Sequence, residues 1–316
     1  TKIKRIPNFK MNDRKLRFIS NQIYSDPLFT MMGNMVLWRV KMKMYQVDAF
    51  TTELFKGNPA AVIVSHEWLT DSLMQNIAAE NNLAETAFVK IIDPENFEIR
   101  WFTPKVEVDF CGHATLASSF VLFKDYTTAK TIQFHVKDLG IFTIQQASDG
   151  KILMNFPTRR PHRVEEFPEL LHQVIDKPFK EVYLNQQAYI LVCESEQDVI
   201  DAKPNFAMIN AIAEAYEVST SITASDAPDI SITSVSNKYD YVARYFAPHK
   251  GIDEDPVTGS MHTGLAPLWA EKLNKYKLVG FQSSERGGEL HCDIQSNDRI
   301  EISGYAKLYM TAEIHF

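Results

Sequence analysis

The chain lacks the features that mark several protein classes. It has three cysteines in 316 residues, with no CxxC pair and no metal-ligand spacing alongside histidine. This argues against a disulfide framework and favours a reducing compartment, the cytoplasm. No apolar run reaches the roughly 18 residues of a membrane helix. No GxGxxG follows a strand pattern and no P-loop is present, which argues against a nucleotide-binding oxidoreductase.

Positive charge is also in deficit. There are 33 Lys and Arg residues against 40 Asp and Glu residues, a formal net charge of −7. The chain therefore offers no broad positive field for nucleic acid or an anionic membrane. The first forty or so residues differ, because they are basic and Met-rich. Strand patterning begins at "MKMYQVDAF", so residues 1–41 are treated as an extension of unknown role.

The chain contains one internal repeat. "RWFTP" at Arg100–Pro104 is matched by "RYFAP" at Arg244–Pro248, an offset of 144 residues. Seven residues after the last Pro of each motif stand Cys111 and Asp255, and each is followed by small residues and an apolar helical pattern. "NIAAE" and "NAIAE" match upstream. By counting, Cys111 and Asp255 occupy equivalent places in two duplicated halves.

Each half follows the same plan of strands and helices. In the first half, the strands "MYQVDAF" and "AAVIV" flank a "KGNP" turn, and the helix "DSLMQNIAAENN" begins with Asp71 or Ser72 as its N-cap. The strands "ETAFVKII" and "FEIRWFT" follow. The second half repeats this order with "QAYILVC", a helix near "FAMINAIAEAYEV", "ISITSVS" and "DYVARYFAP".

This pattern predicts an α+β fold of two similar sheet-rich domains, each around a central helix and related by a pseudo-twofold duplication. We place the domains at residues 42–160 and 161–316, and we allow the last strand to return to the first domain. The boundary falls in "PTRRPHRVEEFPE", where proline and charge cluster.

Two facing halves would bring the "CGHAT" and "DPVTGS" turns together across one cleft. Each turn opens a helix, whose free N–H groups suit a carboxylate. An acid and a base in such a cleft suit proton transfer beside a carboxyl group, as in a racemase, epimerase or isomerase. Each candidate also has an ordinary structural role as its alternative. The candidates are Glu85, His113, Cys111 and Asp255, with Asp229 as the acidic position in the second half that matches Glu85.

Four stretches resemble the PhzF-like isomerases of phenazine biosynthesis: "VDAFTTELFKGNPAAVIV", "LAETAFV", "RWFTPKVEVDFCGHATLAS" and "GIDEDPVTGSMH". The resemblance covers essentially all of residues 44–316. That family is similar in fold to diaminopimelate epimerases and proline racemases, which carry one cysteine in each of two facing turns. This chain has Cys111 in the first turn but Asp255 in the second, which argues against a two-thiol mechanism.

The resemblance implies a proton-transfer isomerisation of a small carboxylate by a homodimer, without metal, flavin or nucleotide. It assigns proton transfer to Glu85, with His113 and Asp255 contacting the substrate and able to relay protons.

Further residues would bind the substrate. The resemblance assigns Ser260 to the substrate, and Gly112, Gly259 and Ser260 would donate hydrogen bonds to its carboxylate. Asn58, in the "KGNP" turn, is expected in the pocket wall.

Two alternatives remain open from the sequence. One is a thiol-dependent amino-acid racemase or epimerase in which Cys111 is one base and Asp255 or Glu85 the other. The other is a non-catalytic binding protein with the same fold. The sequence identifies neither the substrate nor the direction of the reaction.

Overall fold

The computed structural model describes residues 41–220, 223 and 227–316. The extension assigned to residues 1–41 lies outside the described residues, apart from Lys41 at the start of the first strand. The strands are β1 (Lys41–Ala49), β2 (Asn58–Ser65), β3 (Glu85–Ile91), β4 (Asn96–Phe102), β5 (Glu107–Val108), β6 (Thr131–Val136), β7 (Gly140–Gln146), β8 (Ile152–Pro157), β9 (His162–Arg163), β10 (Phe179–Leu184), β11 (Ala188–Cys193), β12 (Asp229–Val235), β13 (Tyr241–Phe246), β14 (Lys277–Gln282), β15 (Gly288–Ile294), β16 (Arg299–Gly304) and β17 (Ala306–His315).

Helices are fewer, as the sequence predicts. The α-helices are α1 (Asp71–Asn81), α2 (Gly112–Asp125), α3 (Glu196–Asp201), α4 (Phe206–Thr220) and α5 (Gly259–Leu273), and two short 3-10 helices cover Glu169–Gln173 and Pro248–Lys250. No helix among these is long and apolar enough to cross a membrane.

The order of strand pairings repeats between the halves. In the first half β1–β2 is antiparallel, β2–β3 parallel, β3–β4 antiparallel and β4–β6 parallel. In the second half β10–β11, β11–β12, β12–β13 and β13–β14 have the same senses in the same order. The antiparallel pairing of β8 with β16 joins the two series, and β17 pairs with β1. The duplication inferred from "RWFTP" and "RYFAP" is therefore present in the topology, whereas the domain boundary near residue 160 stays a prediction.

The repeated arginines have the same structural task. Arg100 binds both carboxylate oxygens of Glu107, at 2.7 and 2.6 Å, and Arg244 binds both of Glu254, at 2.7 and 2.8 Å. Each glutamate lies in the segment that leads from the motif to the next buried helix. A bidentate pair fixes orientation as well as distance, so each arginine anchors its segment to the sheet.

Helices α2 and α5 are the central helices of the two halves. Small residues let them pack closely: α2 lies against β1, β2, β3 and β8, and α5 against β14, β15 and β16. Their first residues, Gly112 and Gly259, meet, because a Cβ built on Gly112 would lie 3.7 Å from the Cα of Gly259. The two helix N-termini thus face one another, as the repeat predicts.

Two sequence-based assignments differ from the structure. The N-cap of α1 is Thr70, whose side chain accepts a hydrogen bond from the Leu73 N–H, and not Asp71 or Ser72. The N-caps of α2 and α5 are Cys111 and Thr258. Thr258, not Asp255, therefore matches Cys111, because α5 begins four residues after Asp255 while α2 begins one residue after Cys111.

Gly57 provides a test of the turn between β1 and β2. Its φ is +66°, and a Cβ at this position would overlap the carbonyl oxygen of Ala49. Gly150 also has a positive φ, of +88°, but a Cβ there would meet nothing within 4 Å. We expect Gly57→Ala to lower the free energy of unfolding by about 3 kcal/mol and Gly150→Ala by about 1 kcal/mol. Urea denaturation measures both, and equal losses would contradict a steric requirement at Gly57.

Candidate active site

Glu85 begins β3 at the edge of the contact between the two halves. Its backbone pairs with Ala60 of the parallel strand β2, which fixes the direction in which the carboxylate leaves the sheet. The residue is 9% exposed. A carboxylate so little exposed has lost most of its water, and its charge needs a partner close by.

His113 is that partner. It is the second residue of α2, and its Nε2 lies 3.0 Å from Oε2 of Glu85. This is an ion-pair distance, yet the Oε2 atom has no hydrogen-bond partner of good geometry among the described residues. Cys111, immediately before the helix, places its Sγ 3.4 Å from Nδ1 of His113. The structure therefore brings Glu85, His113 and Cys111 together, as the sequence predicts.

Asn58 links this cluster to the second half. Its Nδ2 donates to Oδ1 of Asp255 at 2.8 Å and to the Val257 carbonyl at 2.9 Å, and lies 3.1 Å from Nδ1 of His113. A primary amide has two hydrogens, and the two oxygen acceptors take both. The Cys111 sulfur is then the acceptor left for a proton on Nδ1. Oδ1 of Asn58 is a buried acceptor with no partner within the described part of the chain.

The charges of the cluster follow from these contacts. Burial disfavours an imidazolium, but Cys111 and Glu85 more than offset this and raise the pKa of His113 well above its usual value. Burial, and then the negative charge of Glu85, raise the pKa of Cys111. Burial thus favours the protonated thiol of Cys111, while the contacts of His113 favour its imidazolium form.

Asp255 lies on the other side of Asn58. Burial raises the pKa of its carboxyl, although His113 and hydrogen bonds from Thr258 and Asn58 act in the opposite direction. Its loop is held by Gln282, whose Nε2 donates to the Asp255 carbonyl at 2.7 Å and whose Oε1 accepts from the Thr258 N–H at 2.7 Å. The sequence analysis missed Gln282, since a glutamine at a strand end carries no local signal.

The predicted carboxylate donors also meet here. Gly112 and Gly259 are in contact, and the backbone N of Ser260 lies 3.8 Å from a Cβ built on Gly112. The Ser260 hydroxyl oxygen accepts a hydrogen bond of 2.9 Å from Gln187. Gln187 was missed as well, although its hairpin "NQQAY" corresponds to the hairpin that carries Asn58.

The same cluster has the donor atoms of a metal site. Glu85, Cys111 and His113 each offer one ligand atom, and these atoms lie within 4.8 Å of one another. A metal would need an unprotonated imidazole nitrogen, and the raised pKa of His113 opposes that. The proton on His113 therefore competes with any metal at neutral pH.

The site is a buried cluster rather than an open cleft. A separate cleft of about 350 Å³ lies between Phe50, Tyr239, Phe281 and Arg286, and Glu85, His113 and Asp255 do not line it. Chemistry in the cluster would take place away from bulk water, where charges and dipoles act strongly.

Comparison with known proteins places the chain in a family. Residues 47–312 match PhzC-PhzF, described as phenazine biosynthesis-like protein. A Pseudomonas aeruginosa protein named as an uncharacterised isomerase is 38% identical, and the match covers 87% of this chain and all of the relative. A crystal structure of a PhzF-family phenazine biosynthesis protein from Enterococcus faecalis is 36% identical, with a TM-score of 0.79 over 88% of this chain and all of that chain.

A more distant structure shares the fold alone. A protein titled as a predicted epimerase from Pseudomonas aeruginosa is 19% identical, with a TM-score of 0.67 over 86% of this chain and 99% of that chain. The α+β, epimerase-like fold expected from the sequence is thereby confirmed. The chain belongs to the phenazine biosynthesis-like, or PhzF-like, family of isomerases.

Proposed function

We propose that the chain is a cofactor-independent isomerase that moves a proton on a small carboxylate substrate, with Glu85 as general acid and base. One observation carries the proposal. Glu85 is a buried carboxylate at the meeting point of two helix N-termini, and its Oε2 faces Nε2 of His113 at 3.0 Å but has no hydrogen bond of good geometry to any described residue. Such an oxygen is free to accept a proton from carbon.

The proton balance needs no further reagent. Glu85 takes a proton from a carbon beside the substrate's carboxyl group, and the electron pair delocalises into that group. The carboxylic acid formed on Glu85 then returns the proton to another carbon or face. Nε2 of His113, 3.0 Å away, would hold the Glu85 carboxylate in position before and after the transfer.

The substrate's carboxylate would lie against Gly112, Gly259 and Ser260. These residues supply N–H groups from two facing helix N-termini and one hydroxyl, which suit an anion and the charge that develops on it. Oδ1 of Asn58, which has no partner in the part of the chain that the structure describes, would accept a hydrogen bond from a polar hydrogen of the substrate, and Asp255 would bind a second polar group. The homodimer and the cytoplasmic location stay predictions.

A thiol-dependent racemase is less well supported. Burial and Glu85 raise the pKa of Cys111, and a protonated thiol is a poor base. The matching position before the second helix holds Thr258, which has no basic group near neutral pH. A non-catalytic binding protein would not catalyse the exchange of a carbon-bound proton of its ligand with solvent. This exchange therefore distinguishes it from both enzymes.

The first prediction concerns Glu85→Gln. We expect it to lower proton exchange at a substrate carbon by about 10³-fold, because amides neither accept nor donate the proton. Proton NMR in D₂O, with a panel of cyclic dienyl and amino-acid carboxylates, measures deuterium entry. Glu301→Gln is the control, since Glu301 is also a glutamate on a strand but is not part of the cluster. Wild-type rates with Glu85→Gln would contradict the role of Glu85, and no exchange by the wild type would contradict this substrate class.

The second prediction separates the thiol mechanism. Cys111→Ala is expected to retain exchange within about tenfold of the wild type, because the loss of a hydrogen-bond partner for His113 costs only a modest factor. A thiol base would instead lose about 10³-fold or more. The same NMR assay decides between these outcomes, and a collapse of exchange in folded Cys111→Ala would favour the racemase.

The third prediction concerns the charge of His113. A raised pKa in the folded state means that the ion pair stabilises the protein fully below the ordinary imidazole pKa of about 6.5, and that this stabilisation is lost as pH rises through the raised value. We expect His113 to remain charged above pH 6.5 in the wild type, and its pKa to fall in Glu85→Gln. NMR titration of the histidine ring protons, assigned with His113→Gln, measures both, and an unchanged pKa in Glu85→Gln would refute the pairing.

A further inference from the structure

The second half has its own buried acid, which the proposed reaction does not use. Asp229 begins β12 and pairs with Ala188 of the parallel strand, as Glu85 begins β3 and pairs with Ala60. Asp229 is 2% exposed, so its charge also needs compensation. Lys250 supplies it with Nζ at 2.8 Å, and the Tyr245 hydroxyl donates a short hydrogen bond to Oδ2.

A chain of hydrogen bonds leads from this acid to the proposed substrate site. Nε2 of Gln187 donates to the Tyr245 hydroxyl at 2.8 Å and to the Ser260 hydroxyl at 2.9 Å. Nη1 of Arg159 donates to Oε1 of Gln187 at 2.8 Å. Gln187 therefore stands between an anchored tyrosine and the serine that faces the substrate.

The direction of each bond in this chain is determined. Arg159 can only donate, so the amide of Gln187 must turn its Oε1 towards Arg159. The two amide hydrogens then point to Tyr245 and Ser260. Burial, and then the Asp229 charge, raise the pKa of Tyr245 well above its usual value. The phenol therefore stays protonated and donates its hydrogen bond to Asp229. The phenol oxygen is thereby left to accept from Gln187.

The consequence falls on Ser260. Its oxygen accepts from Gln187, and within the described residues its hydroxyl hydrogen is given to no other group. Ser260 is the second residue of α5, as His113 is of α2. A carboxamide from the hairpin of each half thus contacts the second residue of its central helix: Asn58 contacts His113, and Gln187 contacts Ser260.

We propose that Gln187, anchored through Tyr245 to Asp229, is a positioning residue that holds the Ser260 oxygen as an acceptor and so directs the Ser260 hydrogen into the site. This inference rests on the proposed function, in which Ser260 binds the substrate's carboxylate. It extends the site to a network in which the acid of the second half orients a donor, while the acid of the first half transfers the proton.

The test converts Ser260 into a reactive reporter. In Ser260→Cys the sulfur takes the place of the oxygen that accepts from Gln187, and the thiolate is the form that reacts with alkylating agents. Iodoacetate and its neutral counterpart iodoacetamide are applied at neutral pH, and mass spectrometry follows labelling at position 260. Each rate is divided by the rate of the same reagent with N-acetylcysteine, which removes the intrinsic difference between the reagents.

Adding Gln187→Leu to Ser260→Cys removes the hydrogen-bond donor, because leucine is similar in size to glutamine but cannot donate. We expect both normalised rates to fall about tenfold, because a hydrogen bond to an anion shifts its acid dissociation by about that factor. Tyr245→Phe, which loosens Gln187, is expected to slow both about threefold. Gln75→Leu is the matched control: Gln75 is also half-buried but donates to the Thr103 carbonyl at 2.9 Å instead of to Ser260, and both rates should be unchanged.

The outcomes separate the two hypotheses. Gln187→Glu is the second variant, for the case that Gln187→Leu fails to fold. It keeps the size and polarity of the side chain but replaces the donor by an anion, so it should slow iodoacetate more than iodoacetamide. Unchanged rates in a folded Gln187 variant would overturn the positioning role. The proposed function is tested by Ser260→Cys alone, in which normalised iodoacetate should outpace iodoacetamide. Equal rates there would count against a carboxylate site, while the Gln187 comparison still decides the role of Gln187.

Discussion

The amide group of Asn58 is the interaction on which the site depends. Asn58 comes from the first half, and both of its amide hydrogens are given to the loop of the second half, at Asp255 and Val257. The same group lies 3.1 Å from Nδ1 of His113. One fully buried side chain thus sets the separation between His113 of the first half and Asp255 of the second. Its position depends in turn on the tight turn at Gly57, where a side chain would meet the backbone.

Charge balance is the second constraint. His113 stands at a helix N-terminus, where the helix dipole disfavours a cation, and burial disfavours it further. Cys111 and the carboxylate of Glu85 together overcome both effects, and Asp255 adds a second acidic group nearby. A buried ion pair contributes little to stability once desolvation is counted, whereas removing one partner is costly. The contact of Glu85 with His113 is therefore weak evidence for a role in stability.

The two halves share a scaffold but differ in the side chains that the scaffold presents. Glu85 corresponds to Asp229, His113 to Ser260 and Cys111 to Thr258. Among the described residues both acids keep one buried oxygen without a well-formed hydrogen bond, Oε2 of Glu85 and Oδ1 of Asp229, but Asp229 is in addition bound by Lys250 and Tyr245. Duplication therefore gives two similar helix N-termini, and the side chains around them have diverged.

Sequence alone determined the framework of this protein. Alternating apolar residues predicted the strands, small-residue turns before apolar stretches predicted the two central helices, and the repeat predicted that Cys111, His113 and Asp255 would meet. These signals are local, because backbone geometry sets the periods of strands and helices. Counting from the repeat nevertheless aligned Cys111 with Asp255 instead of Thr258, since residue number does not reveal where a helix begins.

Only the tertiary structure decided which atoms face one another. The ion pair of Glu85 with His113, the support of the Asp255 loop by Gln282, and the contact of Gln187 with Ser260 join residues 27 to 73 positions apart. Glutamines carry no sequence signal for such roles, because a carboxamide suits an exposed turn as well as a buried bridge. The sequence thus determined the strands, the helices and the kinds of group near the site. Packing of the two halves decided the protonation and the hydrogen-bond partners of these groups, because pKa values and hydrogen-bond directions depend on burial and on neighbours distant along the chain.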